Sequence, residues 1–440
     1  MSLTAPQRDV PVYDLAGVGF GPSNLALAIA VHEHNSAAGS TPLTAVFLER
    51  QARFGWHRGM LLEDATMQVS FLKDLVTLRN PASEFSFLCY LKERDRLIDF
   101  INHKTFFPLR VEFHDYLEWA AAKVDGVVRY GSEVSEVVPV ERDGVVEAFD
   151  VRVRSGDAVS SYRARNLVVA TGLQPLAPPG VTLGERIWHS RDLLTNIGQI
   201  READRFVVVG AGQSAAEITA FLHERFPAAE VCGVFSRYGY SPADDSSFAN
   251  RIFDPAAVDD FFTAPPEVKT MLMNYHSNTN YSVVDTDLIE DLYRRVYRER
   301  VAGTNRLRLI NMSRLAGATE HGDRVTVDIE TLATGELIPL DADVLVCATG
   351  YAPVDPFPLL GGAAARCERD EFGRARVERD YRLRTEESMT AGIYLQGGTE
   401  HTHGITASLL STAAVRSGDI LTSIATRSPT ASAVPAVSLR

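Results

Sequence analysis

Cysteine is scarce: the 440-residue chain has four, Cys89, Cys232, Cys347 and Cys367, and no two lie close in sequence. That spacing excludes a cysteine-built zinc cluster and a CxxC-type redox pair. It fits buried, reduced thiols in a cytoplasmic protein. Uninterrupted apolar runs of bilayer length are missing too. The stretch Leu15 to Val31 is broken by Gly17, Gly19, Gly21, Pro22 and Asn24. It follows Asp9 and Asp14 rather than basic residues, so neither a signal peptide nor a membrane span is expected. Positive charge is in deficit, 44 Lys and Arg against 57 Asp and Glu, for a net charge of −13. An acidic chain repels phosphate backbones, so no nucleic-acid partner is expected. Small phosphate ligands are not excluded, because helix N-termini and local basic groups can hold them.

The composition that remains is that of a folded protein, 45% hydrophobic and 23% charged. The length allows about three units of ~150 residues, or one elaborated pair. Residues 1–11 and 427–440 are polar, Pro/Ser/Ala-rich tails, expected to be mobile. Between them one local unit occurs twice: a short apolar strand, a glycine-rich turn and a helix of small residues. The first is Val12–Ala16, Gly17-Val-Gly-Phe-Gly-Pro22 and Ser23–His32. The second is Arg205–Val209, Gly210-Ala-Gly212-Gln-Ser-Ala215 and Ala216–Arg225. Further strands are expected at Thr44–Leu48, Val127–Tyr130, Ala148–Val153, Asn166–Ala170, Glu230–Phe235, Arg324–Ile329 and Ala342–Cys347. Helical patterns cover Glu84–Lys92, Arg110–Ala122, Pro255–Met273 and Val284–Val301. This alternation predicts an α/β protein with two Rossmann-like dinucleotide-binding domains. The first domain is expected to be discontinuous, 12–195 with 341–425. The second is 196–340 and includes a helical substrate-site segment at about 244–301 that lacks strand signals.

The turns carry the chemistry. Gly17 permits the tight bend, Gly19 and Gly21 let backbone approach a pyrophosphate, and the helix start offers N–H donors. Pro22 takes the place of the last glycine, which a first helical position tolerates. The next strand ends in Glu49, placed to accept from a ribose hydroxyl. In the second unit Gly210, Gly212, Gln213 and Ser214 form the turn, and its next strand ends in Ser236-Arg237 rather than an acid. An arginine there suits a 2′-phosphate, hence NADPH, although a solvated arginine at a strand end is the plainer alternative. Ala170-Thr171-Gly172 and Ala348-Thr349-Gly350-Tyr351 each follow an apolar strand and bring backbone close to a cofactor. Two turns and two such strands in alternating order are the layout of flavoproteins with FAD on the first unit and NAD(P)H on the second. With no cysteine pair to take electrons, dioxygen is the next acceptor. Reduced flavin can form a C4a-hydroperoxide that donates oxygen to an amine or sulfide, provided the protein excludes water.

At this point the residues match a family. Gly17-Val-Gly-Phe-Gly-Pro-Ser-Asn24, Trp56-His57, Met67-Gln-Val-Ser-Phe-Leu-Lys-Asp74 and Arg79-Asn-Pro81 resemble segments of the flavin-dependent N-hydroxylating monooxygenases. So do Gly212-Gln-Ser-Ala-Ala-Glu217, Asn278-Thr-Asn-Tyr-Ser-Val283, Ala348-Thr-Gly-Tyr351 and Gly404–Leu410, in order, over residues 12 to about 420. The chain resembles most the bacterial L-ornithine N5-monooxygenase branch, with L-lysine N6-monooxygenases as relatives. Baeyer–Villiger and dimethylaniline-type monooxygenases share the two units, but only Trp188-His-Ser190 is faintly similar to their linker. A flavin-binding protein without activity is the non-enzyme alternative.

The resemblance implies FAD, NADPH, O2 and L-ornithine as partners, a siderophore or related pathway, and a homo-oligomer, a tetramer being one form. It implies that Lys73 pairs with the substrate carboxylate, that Asn250 and Asn280 contact substrate, and that Ser408 lies near the substrate amine. Trp56 and Gln68 would contact flavin, and His57, Thr171, Gly172, Thr349, Gly350 and Leu409 join the turn residues as cofactor-binding positions. Each has a plainer reading: Lys73 solvated beside Asp74, the asparagines as turn residues, Ser408 as a helix serine, Trp56 as core. His57, His401 and His403 lack a third ligand at metal spacing, so no metal is expected. No residue is marked as a base for the amine. Arg237 is the first choice for the 2′-phosphate and Arg110 the second.

Overall fold

The computed structural model describes residues 11–427. The expected tails therefore fall outside the described residues, apart from Pro11 and Arg427. The fold is α/β, built on two largely separate sheets. In the first, Val128–Arg129, Ala45–Leu48, Val12–Val18 and Ala158–Val169 run parallel in that spatial order. On its other edge Ala158–Val169 serves two further partners. Its first half pairs antiparallel with Val145–Ser155, which in turn pairs with Glu133–Arg142. Its second half pairs parallel with Gly392–Leu395. A strand from near the C-terminus thus completes the sheet begun at the N-terminus.

The second sheet is wholly parallel, in the order Leu307–Ile310, Glu230–Val234, Arg205–Val209, Val344–Cys347, Ile187–His189. Its central strands are continuous apolar runs because helices or sheet cover both faces. All four residues of Val344–Cys347 are buried. A three-stranded antiparallel sheet, Ser313–His321, Arg324–Thr331 and Leu337–Ala342, lies alongside. Leu173–Pro175 pairs antiparallel with Tyr351–Pro353, joining the segments that follow the two Ala-Thr-Gly turns.

Several expectations need correction. Ile187–His189 and Val344–Cys347 pair within the second sheet, so the boundaries at 195 and 341 cut it on both sides. The pattern Pro255–Met273 is two helices, Pro255–Thr263 and Pro266–His276. Pro265 and Pro266 cannot donate to a continuing helix, and the residue before a proline avoids helical backbone. The strand expected at Val127–Tyr130 shrinks to two residues, whereas Ala148–Val153 grows to Val145–Ser155. The four cysteines are free, and burial pushes the Cys232 and Cys347 thiols up to about 12, which leaves them protonated. Among the described residues no helix is long and apolar enough to cross a membrane.

Candidate active site

The first glycine turn is shaped by two close contacts and one open position. A Cβ on Gly17 would run into the Phe47 ring, so the turn packs flat on the neighbouring strand. Gly19 has φ +81°, and a Cβ there would stand 2.5 Å from the Ala170 carbonyl oxygen. Gly21 opposes empty space, with nothing within 4 Å of its missing Cβ. The helix Pro22–Ser36 starts at Gly21 with no side-chain cap, so its first N–H groups have no partner from a capping residue. The second turn repeats this. Gly210 has φ +144° and lies against the Ala348 carbonyl, as Gly19 lies against that of Ala170. The helix Gln213–Arg225 starts at Gly212, also uncapped. Each Ala-Thr-Gly strand end therefore closes on the glycine turn of its own sheet. Gly172 and Gly350, both exposed with φ near +80°, mark the openings beyond. Thr171 is exposed as well, while the Thr349 hydroxyl donates to the Leu176 carbonyl.

Glu49 is buried, and its carboxylate accepts the N–H of Phe20 at 2.6 Å and of Gln51 at 2.8 Å. It thus pins the first turn, and each oxygen keeps a second lone-pair position for a ribose hydroxyl. Arg237 is exposed at the end of its strand, and its guanidinium has one bond, 2.8 Å to the Ser282 carbonyl. Ser282 takes a left-handed φ of +55° where its chain passes over Gly212. Arg110, the second choice for the 2′-phosphate, does not fit that role. It forms a buried two-pronged ion pair with Glu217 at 2.7 and 2.8 Å, and donates to the Met60 and Thr66 carbonyls. Gln213 extends this bridge, donating to Glu217 at 3.0 Å and accepting from the Asp285 N–H at 2.8 Å. Ser214 is half-buried in the first turn of the same helix.

His57 keeps an exposed surface yet is walled by protein on most sides, as a side chain lining a deep cleft is. Burial, with the charge of Arg110 second, lowers its pKa to about 4. Its φ of +50° is left-handed, a strain seen more often at functional positions than elsewhere. The half-buried Trp56 ring lies edge-on to it at 4.5 Å, and Tyr351 at 6.1 Å. Gln68 is exposed nearby in sequence, with one long bond to Thr66 Oγ1.

Lys73 is half-buried with its ammonium 5.4 Å from the Phe253 ring centre. Burial lowers its pKa, and Asp254 opposes the shift without closing an ion pair. Asp74 does not serve it: that carboxylate is buried and taken by the N–H groups of Val76, Thr77 and Phe87 and by the Thr77 hydroxyl. Phe253 ends the short helical turn Ala249–Phe253, which holds Asn250 and packs on Ile405–Ser408. Asn250 donates to the Asp245 carbonyl at 2.6 Å. Ser408 and Leu409 are half-buried at the edge of a loop whose preceding residues, Ile405, Thr406 and Ala407, are buried. Asn280 reaches the Tyr281 hydroxyl, which donates to Glu400 at 2.7 Å. Lys73, Asn250 and Ser408 are thus brought to one place, with Asn280 tied to it through Tyr281 and Glu400.

Sequence reasoning missed the residues that hold this arrangement. Buried Asn24 donates to the Gly19 carbonyl at 2.7 Å and accepts from Gln396 at 3.1 Å. Arg79 and Asn80 both grip Glu33 of the first helix. Tyr281–Glu400 and Arg110–Glu217 fasten the two sheets' elements together. Asn24, Arg79-Asn80, Glu217 and Tyr281 stood out beforehand only within family-like segments and without a role, and Arg110 only as the second choice for the 2′-phosphate. His401 and His403 bond to the carbonyls of Ala375 and Arg379, and among the described residues no group of metal-binding side chains exists.

Comparison with known proteins agrees with this geometry. Residues 11–353 match the family model described as L-lysine 6-monooxygenase/L-ornithine 5-monooxygenase. An L-ornithine N(5)-monooxygenase of Burkholderia cepacia is 43% identical over 90% of this chain and 91% of its own. The ornithine N-hydroxylase of Kutzneria sp. 744, solved with reduced FAD, NADP+ and L-ornithine, superposes with a TM-score of 0.91 at 50% identity, covering 95% of this chain and all of that one. The ornithine hydroxylase of Pseudomonas aeruginosa gives 0.89 at 37% identity, over 95% of this chain and all of its own. Matched over residues 11–353 and 43% identical to a curated relative across nine-tenths of its length, this chain belongs to the L-lysine 6-monooxygenase/L-ornithine 5-monooxygenase family.

Proposed function

We propose that the chain is an FAD- and NADPH-dependent monooxygenase that converts L-ornithine to N5-hydroxyornithine, for siderophore or related natural-product assembly. The observation that carries the reading is that half-buried Lys73 and the Ser408 loop both meet the turn Ala249–Phe253, in a chain with two uncapped, glycine-built helix starts. The three relatives described above are named as acting on ornithine, which supports the substrate. The two units divide as an FAD domain on the first sheet and an NADPH domain on the second, with the helical segment 244–301 closing the substrate site.

The open space at Gly21 suits a pyrophosphate, so Gly17, Gly19, Gly21 and Pro22 would hold that part of FAD and Glu49 its ribose. Trp56, His57, Gln68, Thr171, Gly172 and Leu409 would line the rest. NADPH would take Gly210, Gly212, Gln213 and Ser214, with Arg237 on the 2′-phosphate and Thr349 and Gly350 at the opening. The chemistry supplied by bound FAD is passage of NADPH electrons to O2 and of one oxygen atom to a neutral amine, the other leaving as water.

The protein's own part is to bind, orient and keep the amine neutral. The Lys73 ammonium would hold the substrate carboxylate and select against a diamine. Asn250 and Asn280 would fix the chain between, and the Ser408 hydroxyl would meet the amine. A free amine has a pKa of about 10.4, and partial burial lowers it, as Lys73 itself demonstrates. The test is hydroxylamine formation from ornithine, lysine, putrescine and cadaverine with NADPH, FAD and air. N5-hydroxyornithine as the main product supports the reading. Oxidation of NADPH with no hydroxylamine from any of the four defeats it.

A further inference from the structure

Arg416, in the helix Ala413–Arg427, is 1% exposed and heads the fully buried side chains by size. A guanidinium stays charged in a protein, so its burial demands acceptors. It has four, all neutral: the Ala407 carbonyl at 2.8 Å, the Thr406 carbonyl at 3.4 Å, Ser23 Oγ at 3.2 Å and Gln396 Oε1 at 3.3 Å. The Gln396 amide donates in turn to the Ser23 carbonyl and to Asn24 Oδ1, both at 3.1 Å, and Asn24 donates to the Gly19 carbonyl. A continuous chain of hydrogen bonds therefore runs from the first glycine turn through Arg416 to the two carbonyls that precede Ser408. Nothing in the proposed reaction uses Arg416 directly.

We infer that Arg416 is a positioning residue for oxygen transfer: it fastens the Ser408 loop to the first nucleotide helix, so that Ser408 and Leu409 are fixed relative to whatever that helix holds. The inference rests on the function proposed above. The planar fork is needed because its donors point to opposite sides, two toward the loop and two toward Ser23 and Gln396. A lysine keeps the charge but is a point donor on a flexible stem, and cannot span both. A loosened loop leaves flavin reduction alone and spoils only the placing of the amine.

The test is Arg416→Lys, compared with the parent in four measurements: FAD content, the rate of flavin reduction by NADPH, hydrogen exchange at the Ala407 and Leu409 amides, and the yield of hydroxylamine and peroxide per NADPH. The expected result is unchanged FAD content and reduction, faster exchange at the two amides, and hydroxylamine yield down on the order of 10-fold with peroxide in its place. Exchange and yield equal to the parent's would overturn the proposal. So would parallel loss of FAD, reduction and yield, which marks a general folding role. If Arg416→Lys is insoluble, Ser23→Ala decides, since it removes one acceptor only. A smaller shift in the same two readouts is expected, and no shift sinks the idea. Should the parent make no hydroxylamine at all, the functional reading fails, while the exchange data still report on the loop by themselves.

Discussion

Lys73 holds a charge in a half-buried place and shares it with no carboxylate of its own loop, because Asp74 is occupied by four donors of that loop and of the next helix. Such a cation is open to a substrate anion. Lys73→Ala should keep FAD and near-normal flavin reduction. It should lose ~1.5–3 kcal/mol of substrate binding, roughly one to two decades in kcat/KM for ornithine. A variant that lacks flavin, or one that still hydroxylates well, contradicts the assignment. Arg237 is the residue proposed for the nucleotide, since Arg110 is locked to Glu217. Arg237→Ala should weaken NADPH use by a similar ~1.5–3 kcal/mol and leave NADH nearly unchanged; an intact preference for NADPH would refute it. His403 gives a pH signature. It is 1% exposed and stacked on Tyr381 at 4.1 Å, and burial lowers its pKa to about 3, with the Arg379 carbonyl pulling the other way. Below the ordinary value of 6.5 the unfolded chain therefore binds a proton that the folded one refuses. Stability is expected to fall as pH drops from 6.5 toward 3, by up to about 1.4 kcal/mol per unit from this residue. Thermal midpoints between pH 7 and 5 in the parent and in His403→Phe read this out, the variant having the flatter profile. None of these burials was visible in the sequence, which supplied the residue types and left their partners open.

At the scale of elements, the glycine turns were the most legible feature because Gly17, Gly19 and Gly210 leave no room for a side chain. Gly19 shows why: its φ of +81° and the Ala170 carbonyl 2.5 Å from a would-be Cβ both forbid a side chain. Backbone cannot swing aside as a flexible side-chain tip can. Gly19→Ala should cost about 1–3 kcal/mol through the left-handed conformation alone, lowering the melting temperature and emptying the protein of FAD. A variant as stable as the parent, with full flavin content, would show that the turn relaxes freely. The continuous apolar strands Arg205–Val209 and Val344–Cys347 were legible for the same reason, since burial on both faces leaves no polar alternation. Sheet membership was not. Val344–Cys347 follows Arg324–Thr331 and Leu337–Ala342 in sequence but pairs with Arg205–Val209, and hydrophobicity says nothing about which strand a neighbour will be. The long helix read across Pro265-Pro266 shows the opposite error, where an apolar period was followed through a residue pair that cannot donate the required bonds.

The whole molecule sets the distance from Lys73 to the Ser408 loop, the quantity on which substrate choice would depend if these two are the anchors proposed above. Lys73 lies in the loop after the first unit's early strands, Asn250 and Asn280 in the helical segment of the second, and Ser408 beyond the last strand of the first. No spacing rule could have joined four such segments. Only the resemblance placed them together, and the packing of Ala249–Phe253 on Ile405–Ser408 then brings three of them to one place. The two halves are held there by Arg110–Glu217, by Tyr281–Glu400 and by the pairing of Leu173–Pro175 with Tyr351–Pro353. Because these ties cross between the sheets, the separation of the two anchors is not adjustable by one side chain. Lysine is one methylene longer than ornithine. With its carboxylate on Lys73, its amine must buckle or overshoot, and misplacement by about 1 Å costs on the order of 100-fold in productive transfer. Binding is less selective, since a methylene is worth only ~1–3 kcal/mol. Lysine is therefore expected to enter and stimulate NADPH oxidation while most of the reducing equivalents leave as hydrogen peroxide. Ornithine is expected to give mainly hydroxylamine. Measuring both products for both amino acids checks this, and efficient N6-hydroxylysine formation with peroxide from ornithine would move the chain to the lysine side of its family.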